Sequence, residues 1–210
     1  DTVIVNVNPL PPVVDLKING GDGPITQVSP ASYTLTWTSQ YAASCTASSS
    51  GNDWVGGLST SGSQAFANVP TSVHTYTLTC SNISGAVSDT VRVIIVAPLS
   101  GTISASYAKL LLFAPQLGLP VQSLSGTSSG GEPPYLVAVH IRTPLGMEST
   151  YSISGSTWTF TSTDANDLNF GTTEEGTWSA WALITDTAGR TFRTSSITWD
   201  VSWHPVHGRP

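Results

Sequence analysis

The sequence predicts an all-β chain folded as two β-sandwiches in tandem, and three observations predict it. First, short runs alternate large apolar residues with threonine, as in Tyr33-Thr34-Leu35-Thr36-Trp37 and Tyr76-Thr77-Leu78-Thr79-Cys80. That is the period of a strand with one buried face. Second, turn residues interrupt such runs roughly every eight to twelve positions, and no helical period survives for about a dozen residues anywhere. Third, a Val-rich motif returns. Asp1-Thr2-Val3-Ile4-Val5-Asn6-Val7-Asn8-Pro9-Leu10 reappears, one residue longer, as Asp89-Thr90-Val91-Arg92-Val93-Ile94-Ile95-Val96-Ala97-Pro98-Leu99. A third version, Ser196 to Trp203 followed by Pro205, closes the chain. Three closing strands bracket two complete units, the mark of a domain array.

Composition agrees. Only 10% of the 210 residues are charged, against about a quarter in ordinary globular domains. Ser, Thr and Gly fill the place of charge, while Lys, Glu and Met, the ready helix formers, are scarce. Such usage describes an extracellular or cell-surface protein. The formal net charge of −6 offers no basic patch for nucleic acid and disfavours an anionic membrane surface. The longest apolar run, Leu110–Ala114 ending at Pro115, falls far short of the ~20 residues of a membrane-spanning helix, so no membrane insertion is expected. No signal peptide is present, so a mature, processed or cut form is expected.

The elements follow in order. Period two puts Tyr33, Leu35 and Trp37 on one face, and Tyr76, Leu78 and Cys80 on another, and these faces meet in the first core. Gly56-Gly57 and Ser61-Gly62 are expected to break the chain between them as hairpin turns. In the second unit Val137, Val139 and Ile141 alternate on a strand stopped by Pro144-Leu145-Gly146. Trp158 and Phe160 share a face, Trp178, Ala180, Ala182 and Ile184 line a third strand closed by Asp186–Gly189, and Ile197, Trp199, Val201 and Trp203 complete the set. The expected division is 1–8 as an orphan or donor strand, 9–97 and 98–205 as the two domains, and 206–210 as a tail. The proline at the junction and the lack of a long linker suggest a stiff rod.

These residues carry a resemblance. Leu35-Thr36-Trp37, Cys45-Thr46-Ala47, Trp54-Val55-Gly56 and Tyr76 to Asn82 resemble the repeat pattern of bacterial immunoglobulin-like domains in large surface and secreted proteins. Ser125 to Pro134, Gly155 to Trp158, Gly176 to Trp181 and Thr185 to Gly189 resemble a bacterial Ig-like or PKD-like module. The resemblance covers nearly the whole chain and implies two tandem immunoglobulin-like β-sandwiches plus the N-terminal orphan strand. It says little of function, because such domains are mostly spacers.

Cys45 and Cys80 are expected to form a disulfide in an oxidising compartment, the alternative being two buried free thiols. In antibody domains the bridge joins the two sheets. Here Cys45 follows the Trp37 strand, so the bridge should tie neighbouring strands of one sheet. No histidine pattern or CxxC spacing makes either cysteine catalytic.

Little else suggests chemistry. Glu174 and Glu175, adjacent in an extended segment, point to opposite faces and make a poor glycosidase pair. Asp164, Asn166 and Asp167 place oxygen ligands at short spacing, a weak calcium candidate that reads better as a solvated turn; Asp15, Asn19 and Asp22 are weaker still. His204 and His207 lack a third metal ligand. Asn82-Ile83-Ser84 is a glycosylation sequon. No cofactor is called for, and no enzyme is predicted.

Trp181 breaks the inward rule. With Leu183 it lies on the opposite face of its strand, where the neighbouring strand contributes Leu136 and His140. That patch suggests a contact surface: an interdomain contact, a subunit interface, a sugar platform, or a face covered by a loop. The strand Thr2, Val3, Ile4, Val5, Val7 cannot be stable alone. It could end a preceding domain, fold back as an edge strand, or complete a neighbour's sheet in a head-to-tail filament, with Leu110–Leu119 lining the receiving groove or serving as the second unit's own first strand. The expectation is thus a structural protein, either a surface-filament subunit or a repeat segment of an adhesin or stalk, partnered by copies of itself or by neighbouring domains. The alternative is a carbohydrate- or protein-binding module, with polysaccharide as the partner.

Overall fold

A computed structural model describes residues 9–113, 122–161 and 175–204. The chain forms two compact units divided between Ala97 and Pro98. The candidate strand Thr2, Val3, Ile4, Val5, Val7 and the calcium candidate Asp164, Asn166, Asp167 lie outside the described residues.

The first unit contains β1 (Val13–Ile18), β2 (Ile25–Val28), β3 (Ala31–Gln40), β4 (Ser44–Ser49), β5 (Gly56–Leu58), β6 (Ser61–Val69), β7 (Ser72–Asn82) and β8 (Gly85–Val96). They form two sheets, β1-β3-β6 and β2-β8-β7-β4-β5. All pairings are antiparallel except β2 with β8. The second unit contains β9 (Ser100–Ala105), β10 (Lys109–Phe113), β11 (Ser123–Ser129), β12 (Leu136–Arg142), β13 (Glu148–Ser154), β14 (Thr157–Thr161), β15 (Gly176–Thr185), β16 (Thr191–Arg193) and β17 (Ile197–His204). Its sheets are β14-β11-β9 and β10-β17-β15-β12-β13, with β16 added beside β15. Again one edge is parallel, β10 with β17. Apart from β16 the two units share one topology, and both close as immunoglobulin-like sandwiches.

The alternation does what period two requires. Leu35, Tyr76, Leu78, Cys80 and Val93 are fully buried in the first core, and Leu124, Val137, Val139, Ala180, Ala182 and Ile184 in the second. Each buried Leu, Ile or Val contributes about 1.5–3 kcal/mol relative to exposure. The outward positions pair hydroxyl with hydroxyl across strands: Thr77 with Thr90 at 3.1 Å, Thr79 with Ser88 at 2.7 Å, Thr102 with Thr127 at 2.9 Å. The sheets are thus solvated without charge, which accounts for the composition.

Two expectations are corrected. Gly56-Gly57 and Ser61-Gly62 are not turns: the first pair lies in β5 and the second opens β6. Gly62 stands opposite Trp37 in the β3–β6 register, and a Cβ there would lie 2.6 Å from the indole. The glycine makes room for a ring rather than for a bend. Nor does the Leu110–Leu119 segment, of which 114–119 lie outside the described residues, supply the first strand of the second unit. β9 precedes it, and Leu110 is buried in that unit's own core.

The second unit repeats the Trp–Gly device with the strands exchanged, since Gly126 on β11 faces Trp158 on β14. A Cβ on Gly126 would lie 2.2 Å from the Trp158 ring and 2.1 Å from the Thr102 carbonyl oxygen. The carbonyl belongs to a paired strand and cannot swing aside. Gly126→Ala is therefore expected to destabilise the second unit by about 1–3 kcal/mol, read as a lower urea midpoint in its tryptophan-detected transition. An unchanged midpoint would show that β9 and Trp158 give way freely.

Candidate functional site

Cys45 and Cys80 are joined by a disulfide. They are direct partners in the β4–β7 register, with Cα atoms 4.0 Å apart, so the bridge lies within one sheet. Trp54 is buried at 5% exposure and packs edge-on against Trp37 and Tyr76. No face of it is open to a ligand.

Beside this cluster lies a polar network that the spacing of its residues conceals. Asp53 accepts hydrogen bonds from Ser49 Oγ at 2.6 Å and Tyr76 OH at 3.0 Å. Because Tyr76 donates to Asp53, Tyr33 donates to Tyr76, at 2.6 Å. The His74 ring stacks on Tyr76, and its Nδ1 lies 3.3 Å from Asp53 Oδ2. Burial pushes the Asp53 carboxyl up, but the bonds from Ser49, Tyr76 and its own amide, with His74 nearby, hold it below the usual carboxylate range. Burial, with the bonds to Tyr33 and Asp53, pushes the Tyr76 phenol far up. Ser49 is bonded to the carboxylate and not to the imidazole, so this is no Ser–His–Asp relay. It is a clamp that fastens the loop before β5 to β7.

Among the other sequence candidates, Asp15 and Asp22 both close on Lys17 Nζ, at 2.9 and 3.0 Å, while Asn19 Oδ1 accepts the Thr34 amide. The Asn82 side chain of the sequon is spent on main chain: Nδ2 donates to the carbonyls of Leu10 and Tyr41, and Oδ1 accepts the Ser84 amide.

The Trp181 patch is a built arrangement. His140 and Trp181 are cross-strand partners on β12 and β15, and their rings stack in parallel at 3.7 Å. The Arg193 guanidinium sits 4.2 Å over the same indole. His140 comes from β12 and Arg193 from β16, strands that both pair with β15. The two therefore cover the indole from its two sides. His140 Nδ1 lies 2.9 Å from Glu148 Oε1 and 3.1 Å from Thr150 Oγ1; a carboxylate only accepts, so the proton is on Nδ1. Leu183 is half-buried between Ala138 and Arg193 in the register, and Leu136 is exposed. Sequence parity placed Leu136, His140, Trp181 and Leu183 on one face. It missed Glu148, Thr150 and Arg193, of which the β13 pair was readable only once the β12–β13 register was known.

The sequence matches no protein-family model. It matches no curated protein either. The fold matches solved structures. A three-Ig segment of titin aligns with 92% of this chain and 66% of its own at 15% identity and a TM-score of 0.53. A structure bearing on Dscam isoform specificity aligns with 93% of this chain and 47% of its own at 11% identity and a TM-score of 0.51. This chain thus spans about half the length of that Dscam chain. At such identities the common ground is the fold: a tandem of immunoglobulin-like β-sandwiches.

Proposed function

We propose that this chain is a structural, non-enzymatic repeat segment of an extracellular cell-surface protein, a stalk or adhesin of the bacterial Ig-like kind. The observation that carries the reading is repetition. Two domains that share one strand order, β16 apart, follow one another with only residues 97–99 between the end of β8 and the start of β9. The disulfide supports an oxidising compartment. Among the described residues, no helix is long and apolar enough to cross a membrane.

Within this reading a repeat segment is favoured over a strand-donating filament subunit. Each domain carries its own last strand, β8 between β2 and β7, and β17 between β10 and β15. Among the described residues, neither sheet lacks its last strand, the one whose sequence residues 1–8 repeat. The rival binding-module reading rests on Trp181, and its difficulty is geometric. A sugar stacks on an open ring face, whereas His140 and Arg193 occupy this one.

Native mass by light scattering, together with retention on immobilised polysaccharides, tests the proposal. A monomer that is not retained is expected. Trp181→Ala should leave both behaviours unchanged and cost about 1–2 kcal/mol of stability from lost stacking. Retention that disappears in Trp181→Ala while folding survives would make the chain a binding module. Fibres that vanish when residues 1–8 are deleted would make it a filament subunit.

A further inference from the structure

At one end of the first domain the β7–β8 turn, the loop between β3 and β4, and the incoming chain converge on Asn82. Its Nδ2 donates to the Leu10 carbonyl at 2.8 Å and to the Tyr41 carbonyl at 2.7 Å. Ser84 Oγ donates to the carbonyl of Pro9. Around this polar hub stand three apolar side chains that the domain's own core does not use: Leu10 at 58% exposure, Tyr41 at 57% and Ile83 at 91%. Tyr41 is held at φ +60°. A bulky residue in the left-handed region costs of order 1 kcal/mol and persists where the surroundings enforce it. Pro9, Pro11 and Pro12 restrict the backbone where the chain comes in. Exposed apolar side chains gathered on a pinned segment mark a contact surface.

We infer that this end of the first domain is a docking surface, and that its occupant is a further Ig-like domain directly ahead of it, whose last strand is residues 1–8. The inference rests on the repeat-segment reading. It commits to that occupant because of the repeated motif. In the structure the second copy, Asp89–Val96, is the latter part of β8, the last strand of its domain, and Ala97-Pro98-Leu99 leads from it into β9. Leu99 packs against the second core, and its Cδ1 lies 3.2 Å from where a Cβ on Gly131 would stand. Aligned on that pattern, residues 1–8 correspond in sequence to Asp89–Val96, and Pro9-Leu10 to the connector Pro98-Leu99. Pro9-Leu10 delivers that preceding domain onto the rim formed by Leu10, Tyr41 and Ile83.

The register of the repeat defines the test. An extra copy of residues 9–88 is joined ahead of the intact 210-residue chain, so that residues 1–8 take the place of 89–96 as its last strand. The copy carries Tyr41→Phe, and tyrosine-selective labelling is read by peptide mapping, so that Tyr41 of the original domain is scored apart from the also exposed Tyr107. The copy is expected to fold and close its own disulfide. Labelling of Tyr41 should then fall several-fold relative to the 210-residue chain, and Ile83→Asp in the original domain should restore it without shifting the melting temperature. A folded copy with unchanged labelling overturns the inference and leaves the repeat-segment reading standing. If the copy does not fold, deletion of residues 1–8 from the 210-residue chain decides. Unchanged melting and mass support the inference. A lowered melting temperature makes the segment an edge strand of this domain, and loss of fibres makes it a donated strand. Dimers dispersed by Ile83→Asp put a second copy on the surface. Each of these three overturns it, whereas polysaccharide retention would count only against the repeat-segment reading.

Discussion

Replacing Asp186 by alanine is expected to cost the second domain on the order of 3–5 kcal/mol, the effect of removing one partner from a buried charge network. The carboxylate is fully shielded from solvent. It accepts the amide of Glu132 at 3.0 Å, the amide of Arg190 at 2.9 Å and the guanidinium Nε of Arg190 at 2.8 Å. Arg190 in turn donates to Glu132 Oε1 at 3.0 Å. One side chain thereby ties the β15–β16 turn to the loop before β12. The approach is so close that a Cβ on Gly131, at φ +55°, would lie 2.5 Å from the carboxylate. Alanine would leave two amides and a guanidinium facing a void. A domain whose total stability is about 5–15 kcal/mol loses a large fraction of it.

The pH dependence follows. Burial pushes the Asp186 carboxyl up, but the Glu132 amide and the Arg190 guanidinium and amide outweigh it and hold it below the usual carboxylate range. A carboxyl whose pKa is lower folded than unfolded stabilises fully above the unfolded value of about 3.9, and that contribution is lost as pH falls through the folded value. The gap in urea midpoint between the wild type and Asp186→Asn should therefore be widest near neutrality and close in acid, below about pH 4. A constant gap across pH would assign the loss to packing, not to charge.

Replacing Cys45 and Cys80 together by alanine is expected to remove about 3–4 kcal/mol from the first domain. This is the chain-entropy value for releasing a bridge between residues 35 positions apart. The two cysteines are already cross-strand partners between β4 and β7, so the sheet can still form, but the unfolded chain regains the freedom that the bridge denied it. Urea titration followed by tryptophan fluorescence should show one of two transitions moved, the one reporting Trp37 and Trp54. Reductant should produce the same movement in the wild type and none in the variant. If reductant leaves the wild type unmoved, the bridge contributes nothing to stability.

Particular residues show how far the sequence could be read. Period two placed Trp37, Trp158, Trp178 and Trp199 inside, and they are buried. It put Trp181 on the other face, and there it lies half-buried. The same rule could not find Arg193 or Glu148, because parity names a face while contact depends on which strands are neighbours and in what register. Asp53 and His74 stand 21 positions apart, and nothing in that spacing announces their meeting. Gly62 and Gly126 are single glycines of the sort that read equally well as turn, bulge or close approach; only the tryptophan opposite each makes the choice.

What the sequence determined by itself was the all-β class, the two-unit repeat, the inward faces and a bridge within one sheet. All of these follow from local alternation and from the order of motifs along the chain. What only the tertiary structure decided was the pairing: the parallel edges β2–β8 and β10–β17, the covered faces of Trp181, the Asp186 network, and Asn82 serving as a main-chain clamp. Each of these depends on which distant strands and loops come to lie side by side. A two-residue period carries no information about that, because every register that keeps the apolar face inward satisfies it equally.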